Sequence, residues 1–146
     1  HGFTYAGHPV TSAVALETLH IYDEIDLLGR VRSLSKAFLA HLHSFSDHAL
    51  VGETRGIGMI GALELVADKV SRAPFRPSGR VGARLIELAM ERGIILRNLG
   101  DVIAICPPLV IEEAEIATLF SRLSDALADL QNELLASTSI DREVSA

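Results

Sequence analysis

Two short apolar runs flank a glycine-containing centre in Ile94-Ile95-Leu96-Arg97-Asn98-Leu99-Gly100-Asp101-Val102-Ile103-Ala104-Ile105-Cys106-Pro107-Pro108. Residues 94–97 predict one strand, residues 98–101 a tight turn, and residues 102–105 the partner strand. The two prolines end the second strand, because proline cannot donate a hydrogen bond to a neighbouring strand. We therefore expect a strand pair, part of a short antiparallel sheet, in this segment.

A second pair of strands is expected upstream, joined or bent by the glycines of Arg55-Gly56-Ile57-Gly58-Met59-Ile60-Gly61. The later strand contains residues 59–66, and Glu64 within it is expected to pair with an arginine. The glycines do not indicate a nucleotide-binding loop, because neither a helix N-terminus nor a Lys-Ser/Thr pair follows them. Close packing of strands is the better interpretation.

Helical patterns surround these strands. Pro9 suits the first turn of a helix that ends near residues 23–24, because its missing N–H has no partner there in any case. Asp26 can cap a second helix, in which apolar residues recur at steps of three and four up to Phe45. A third helix is expected to start at residue 78 or 79 and to stop near Gly93.

The last helix opens with Glu112 and Glu113, whose negative charge suits the helix N-terminus. Its apolar positions show the clearest helical period in the chain: Ile116, Leu119, Phe120, Leu123, Leu127, Leu130 and Leu134. Residues 137–146 are polar and without pattern, so a disordered tail is expected. The order of elements predicts an α/β (α+β-type) small domain at 47–136, preceded at 1–46 by helices that belong partly to a larger domain.

Composition restricts the functional classes. The chain has 146 residues, 49% of them hydrophobic, and a net charge of −6, which opposes nucleic-acid binding. No apolar run is long enough to span a bilayer and no signal-peptide pattern is visible, so a cytoplasmic location is expected. Cys106 is the single cysteine and is expected to be a buried, inert thiol. His41 and His43 would lie on different helix faces, which argues against a shared metal.

The first nine residues, His1-Gly2-Phe3-Thr4-Tyr5-Ala6-Gly7-His8-Pro9, have the composition of a ligand-contacting loop. A phosphate ester favours hydroxyls, backbone N–H groups and a helix N-terminus. Thr4 supplies a hydroxyl, two glycines allow close backbone approach, and a helix is expected from Pro9. On composition alone, an ordinary turn with Thr4 as a local cap is the more common explanation.

The order of these nine residues resembles the cofactor-contacting loop of class III (fold-type I) pyridoxal-phosphate (PLP) aminotransferases. The Arg55 glycine run and the strand pair from Arg97 to Pro108 resemble two further blocks of that family in the same order. The resemblance implies the C-terminal small domain of a fold-type I PLP enzyme, with covering helices and the end of a large PLP-binding domain before it. It also implies a homodimer whose cofactor sites are shared across the interface.

The resemblance assigns roles to three residues. Thr4 would bind the phosphate of a neighbouring subunit's PLP, with Phe3 beside it at the active-site entrance. Arg97 would bind a substrate carboxylate, for which the planar guanidinium fork is well suited. The ending Gly7-His8-Pro9 is similar to the branch that transfers amino groups from amines or ω-amino acids to a keto acid such as pyruvate.

Aminotransfer through PLP requires a Schiff-base lysine. In the resembled family this lysine lies upstream of the opening loop, and neither Lys36 nor Lys69 matches its motif. We therefore expect an incomplete C-terminal portion that contains no catalytic residue and is inactive alone. Two alternatives stay open: another class III PLP reaction (an aminomutase, a racemase or a decarboxylase-like enzyme), and a stand-alone, non-catalytic dimerising α/β module.

Overall fold

The computed structural model describes residues 2–144, and from residue 138 onward it describes only the backbone. This part of the chain forms four α-helices, a 3₁₀ turn at residues 44–47 and one four-stranded sheet. The helices are α1 (Pro9–Glu24), α2 (Leu27–His43), α3 (Arg80–Glu91) and α4 (Glu113–Val144), and the strands are β1 (Val51–Ile57), β2 (Ile60–Leu65), β3 (Arg97–Leu99) and β4 (Val102–Ile105). None of these helices is long and apolar enough to cross a membrane.

The sheet has the order β1-β2-β4-β3, and every neighbouring pair is antiparallel. The predicted α/β fold with a short antiparallel sheet and covering helices is confirmed. Its core-facing side carries Leu63, Ile103 and Ile105, all fully buried. Helices α2 and α4 contribute further members of the same core, among them Phe38 and Leu123. Residues before position 47 thus share the core with the sheet.

The predicted strand at 94–97 is wrong in its position. Strand β3 covers residues 97–99, so Asn98 and Leu99 belong to the strand, and only Gly100 and Asp101 form the turn. The backbone N–H of Ile94 is taken by the carbonyl of Ala89, which closes the C-terminus of α3. This helix-capping bond, together with the burial of Ile94, keeps the preceding segment out of the sheet.

The glycines between β1 and β2 allow α2 to pack closely on the sheet. A Cβ atom on Gly61 would lie 2.8 Å from Leu42 Cδ2 and 3.1 Å from Phe38 Cε1. A Cβ atom on Gly56 would lie 2.9 Å from Leu39 Cδ2 and from Leu42 Cδ2. Glycine at both positions therefore brings the helix and the hairpin together, which extends the structural role that the sequence indicated.

The two ends of the chain differ from the rest. Helix α1 contains no buried residue, although it carries Val14, Leu16 and Leu19. At the other end, α4 remains helical to Val144, beyond the boundary at 136 that the apolar period indicated. Each added residue of an existing helix gains a hydrogen bond without a new nucleation cost, so the helix outlasts its apolar stripe. The expected tail at 137–146 therefore begins with a helical backbone up to residue 144, and residues 145 and 146 lie outside the described part.

Candidate functional site

Arg97 lies on the face of the sheet that points away from α2 and α4, which we term the outer face. Antiparallel pairing places Arg97 opposite Ala104, Ala104 opposite Ala62, and Ala62 opposite Arg55. Directly opposed residues share a face, so these four form one row across the sheet. With neighbouring strands about 4.8 Å apart, the two arginines stand roughly 14 Å apart at opposite edges of the sheet.

The floor between the two arginines is open because both intervening residues are alanines. A shallow cavity of about 400 Å³ lies on this face, lined by Arg55, Ile57, Ile60, Ala62 and Ala104 together with two glycines. Small side chains in the row leave space above the backbone that larger ones would fill. Arg97 is not among the residues that line this cavity; it lies beyond Ala104, on the neighbouring edge strand.

The two arginines of the row differ in their partners. Arg55 Nη1 donates a hydrogen bond of 2.8 Å to Glu64 Oε2 and lies 3.4 Å from Glu53 Oε1. The hydrogen bond to Glu64 raises the pKa of the Arg55 guanidinium above its usual value. This confirms the predicted partner of Glu64. Arg97 is exposed at the edge strand, and its guanidinium has no hydrogen-bond or ion-pair partner within the described residues.

The opening loop is exposed from residue 2 to residue 8. It forms a turn in which the N–H of Ala6 bonds to the Phe3 carbonyl and the N–H of His8 bonds to the Tyr5 carbonyl. Thr4 lies inside this turn, and its hydroxyl accepts and donates no hydrogen bond within the described residues. The alternative role as a local cap is therefore wrong, since the side-chain contact at the start of α1 comes from Thr11.

The predicted site residues fall into two separate places. Thr4 and Phe3 precede α1, whereas Arg97 lies in β3 at the far edge of the sheet. No hydrogen bond or ion pair joins Thr4 to Arg97 in the described part of the chain. His1, the first residue of the loop motif, lies outside the described residues. Within the described residues, Thr4 and Arg97 thus each lack a side-chain partner and are not brought into one site.

The two lysines have different surroundings. Lys69 Nζ donates hydrogen bonds to the backbone carbonyls of Ser46 (2.5 Å) and His48 (2.9 Å). These contacts use its ammonium group to hold the segment before β1. Burial and the neighbouring Lys69 charge lower the pKa of His48. Lys36 lies on the exposed side of α2.

The remaining candidate groups are histidines and the single cysteine. No group of three or more metal-ligating residues occurs among the residues that the structure describes. His41 stacks on Phe120 with ring centroids 5.5 Å apart, and His43 Nδ1 lies 2.9 Å from Thr54 Oγ1. Cys106 is exposed, so the expected burial of its thiol is wrong. Side chains alternate along a strand, and Cys106 follows the inward-facing Ile105.

The sequence did not reveal Ala62 and Ala104 as neighbours of Arg97. They are 42 positions apart in the chain, and only the register of β2 with β4 brings them together. The alternation of apolar and small residues in 102–105 was the available signal for which side chains face outward. It could not show which residue of β2 would lie opposite, because that depends on pairing over a long loop.

The fold and the open outer face belong to a known class of proteins. The family model of class-III aminotransferases matches residues 1–127, and the chain is a member of this family. The putrescine–pyruvate aminotransferase of Pseudomonas aeruginosa is 41% identical over 137 residues, covering 93% of this chain and 30% of that protein. The chloroplastic gamma aminobutyrate transaminase 3 of Solanum lycopersicum is 39% identical over 134 residues, covering 92% of this chain and 26% of that protein.

Solved structures agree with this assignment. The omega transaminase of Pseudomonas jessenii, solved in complex with PMP, matches with a TM-score of 0.86 and 44% sequence identity. The match covers 90% of this chain and 29% of that one. The chain thus spans between 26% and 30% of the length of these three relatives.

Proposed function

We propose that the whole protein is a PLP-dependent aminotransferase that transfers an amino group from an amine or ω-amino acid to a keto acid such as pyruvate. The observation that supports this most directly is Arg97, which has no partner among the described residues and lies on the outer face of a class-III aminotransferase domain. The similar putrescine–pyruvate aminotransferase supports pyruvate as the acceptor, since its name states that keto acid.

Arg97 is proposed to bind the carboxylate of the keto acid. A guanidinium presents parallel N–H donors that match the two oxygens of a carboxylate. Arg97 is free to do so because no acidic side chain of the described residues neutralises it, in contrast to Arg55. Its partner across the sheet is Ala104, whose small side chain leaves space beside the guanidinium for the carbon chain of a substrate.

Thr4 is proposed to bind the phosphate of PLP in a neighbouring subunit of a homodimer, with Phe3 beside it. The residues present fit this end of the cofactor, because an exposed hydroxyl that makes no hydrogen bond to the described residues lies in a turn just before the N-terminus of α1. Bound PLP supplies the electron sink for amino-group transfer. The chain's own contribution in this proposal is to hold the phosphate and to orient the substrate carboxylate.

Product analysis of the whole enzyme tests the reaction type. Incubated with PLP, putrescine and pyruvate, it is expected to form alanine in proportion to the putrescine consumed, because an amino group moves between two molecules. A control with pyruvate omitted should form no alanine and should stop after one turnover of bound cofactor. Isomerised, racemised or decarboxylated amino acid without alanine formation would contradict transamination and favour the other class III reactions.

The proposal also holds that residues 1–146 contain no Schiff-base lysine. When these residues are purified, mixed with PLP and treated with borohydride, peptide mass mapping is expected to find no modified Lys36 or Lys69 beyond the level of a free-lysine control. The reason is that Lys69 is held by two backbone carbonyls, while Lys36 is an ordinary solvent-exposed lysine. Selective, stoichiometric labelling of either lysine would contradict this assignment.

A further inference from the structure

The hairpin that carries Arg97 is fastened to the N-terminus of α3 by one side chain. Asp101 lies in the turn between β3 and β4, and its carboxylate accepts two backbone hydrogen bonds from the start of the helix. Oδ2 accepts from the N–H of Gly79 at 2.8 Å and Oδ1 accepts from the N–H of Gly82 at 3.0 Å. Gly79, the N-cap of α3, makes no side-chain cap bond itself, so Asp101 caps the helix from a distant part of the chain.

The backbone of the turn also packs directly on α3. A Cβ atom on Gly82 would overlap the carbonyl oxygen of Gly100. The same atom would lie 2.9 Å from Asn98 Oδ1 and 3.1 Å from Asp101 Cα. Three residues of the hairpin, Asn98, Gly100 and Asp101, thus approach one helical position, and only glycine permits that approach. Helix α3 and the hairpin are thus held together by hydrogen bonds and by close packing.

Strand β3 has few other restraints. It is three residues long, lies at the edge of the sheet, and pairs only with β4. Helix α3, in contrast, is anchored on α4 by the fork of Arg84, whose Nε and Nη2 donate to the two carboxylate oxygens of Glu133 at 2.9 and 2.7 Å. The contact between Asp101 and α3 therefore connects a weakly held strand to a firmly held helix.

We propose that Asp101 is a positioning residue for Arg97, an inference that rests on the proposed function of Arg97 as the carboxylate-binding group. Asp101 does not touch the substrate. It fixes the turn at which β3 ends, so Arg97, four residues earlier at the start of this short strand, is held at one height above the outer face. Gly82 contributes to the same contact between hairpin and helix, because the absence of a side chain allows the turn to approach α3.

The experiment uses the whole enzyme with PLP and compares two acceptors, pyruvate and butanal, the second of which has no carboxylate. Asp101→Ala is expected to raise the KM for pyruvate about tenfold, because displacement of a binding group by a fraction of an ångström weakens an aligned contact. The KM for butanal and kcat with either acceptor should stay within about twofold, since the reacting groups do not move. Gly82→Ala should raise the KM for pyruvate in the same selective way by pushing the turn outward.

Asp68→Ala is the matched control. The Asp68 carboxylate also accepts two hydrogen bonds, from the N–H and the hydroxyl of Ser71, but it has no contact with β3. Asp68→Ala should leave the KM values for pyruvate and butanal unchanged. This control distinguishes the loss of a side-chain cap in a loop from the displacement of Arg97. Asp101→Asn retains one acceptor oxygen and should recover part of the pyruvate affinity.

The outcomes separate the two proposals. If Arg97→Ala does not alter the KM for pyruvate, the proposed role of Arg97 is wrong and the positioning role falls with it. If Arg97→Ala raises the KM for pyruvate while Asp101→Ala and Gly82→Ala leave it unchanged, only the positioning role is overturned. Equal increases of KM for pyruvate and butanal in Asp101→Ala would also overturn it, because they would indicate a general structural effect.

Discussion

Arg97→Ala in the whole enzyme is expected to raise the KM for pyruvate about 100-fold, because hydrogen bonds to charged groups contribute about 1.5–3 kcal/mol and 1.4 kcal/mol corresponds to a factor of ten. Arg97 is the exposed arginine of the outer-face row without an acidic partner in the described residues. The KM for butanal should not rise, since that acceptor offers no carboxylate. Steady-state kinetics with both acceptors measure the difference.

Two further variants test whether the effect depends on the shape of the guanidinium group and on its position in the row. Arg97→Lys retains the charge but loses the planar fork, so it should recover only part of the affinity for pyruvate. Arg55→Ala removes the arginine at the other end of the row, which is already engaged by Glu64. Arg55→Ala should leave the KM for pyruvate within about twofold of that of the unsubstituted enzyme, because a paired surface arginine contributes little to a distant ligand. A large effect of Arg55→Ala would indicate that the substrate carboxylate binds at the Arg55 end of the row, which would contradict the proposed role of Arg97.

The sequence predicted the contents of the site better than its arrangement. Arg97 could be chosen because it ends an apolar run before a glycine turn, a local feature. Its neighbours Ala62 and Ala104 could not, because strand register is decided by pairing between distant segments. The same holds for Asp101: its position in a turn was visible, but its hydrogen bonds to Gly79 and Gly82 depend on where α3 packs.

The boundaries of elements show the same limit. The starts of α1 and α2 were predicted because Pro9 and Asp26 act on their own neighbours: Pro9 opens α1, and Asp26 caps α2 by accepting from the N–H of Gly29. The start of β3 was misplaced because Ile94, the first apolar residue of the run, packs at the end of α3, and no local pattern distinguishes that role from a place in a strand. Helix starts set by neighbouring residues can therefore be predicted from sequence. Whether an apolar run belongs to a helix end or to a strand is decided by tertiary packing.

Phe38→Ala is expected to lower the free energy of unfolding of residues 1–146 by about 3–5 kcal/mol, the usual cost of truncating a buried aromatic side chain. Phe38 is fully buried at the centre of the core between α2, α4 and the sheet. Its ring meets that of Phe120 edge-on, with centroids 5.3 Å apart. Urea unfolding followed by circular dichroism measures the change. Leu28→Ala, on the same helix but at a position that is 69% exposed, should alter it by less than about 0.5 kcal/mol.

A double-mutant cycle with Gly61 tests whether this packing, and not only burial, determines the stability. Gly61→Ala alone should be destabilising, because its Cβ would lie 3.1 Å from Phe38 Cε1 and 2.8 Å from Leu42 Cδ2. In the Phe38→Ala background, one of these neighbours is gone and Leu42 gains room to move. The cost of Gly61→Ala should then fall by about 1 kcal/mol, as expected for residues in contact. An unchanged cost would show that Phe38 and Gly61 do not meet, and that α2 lies further from the sheet than the structure places it.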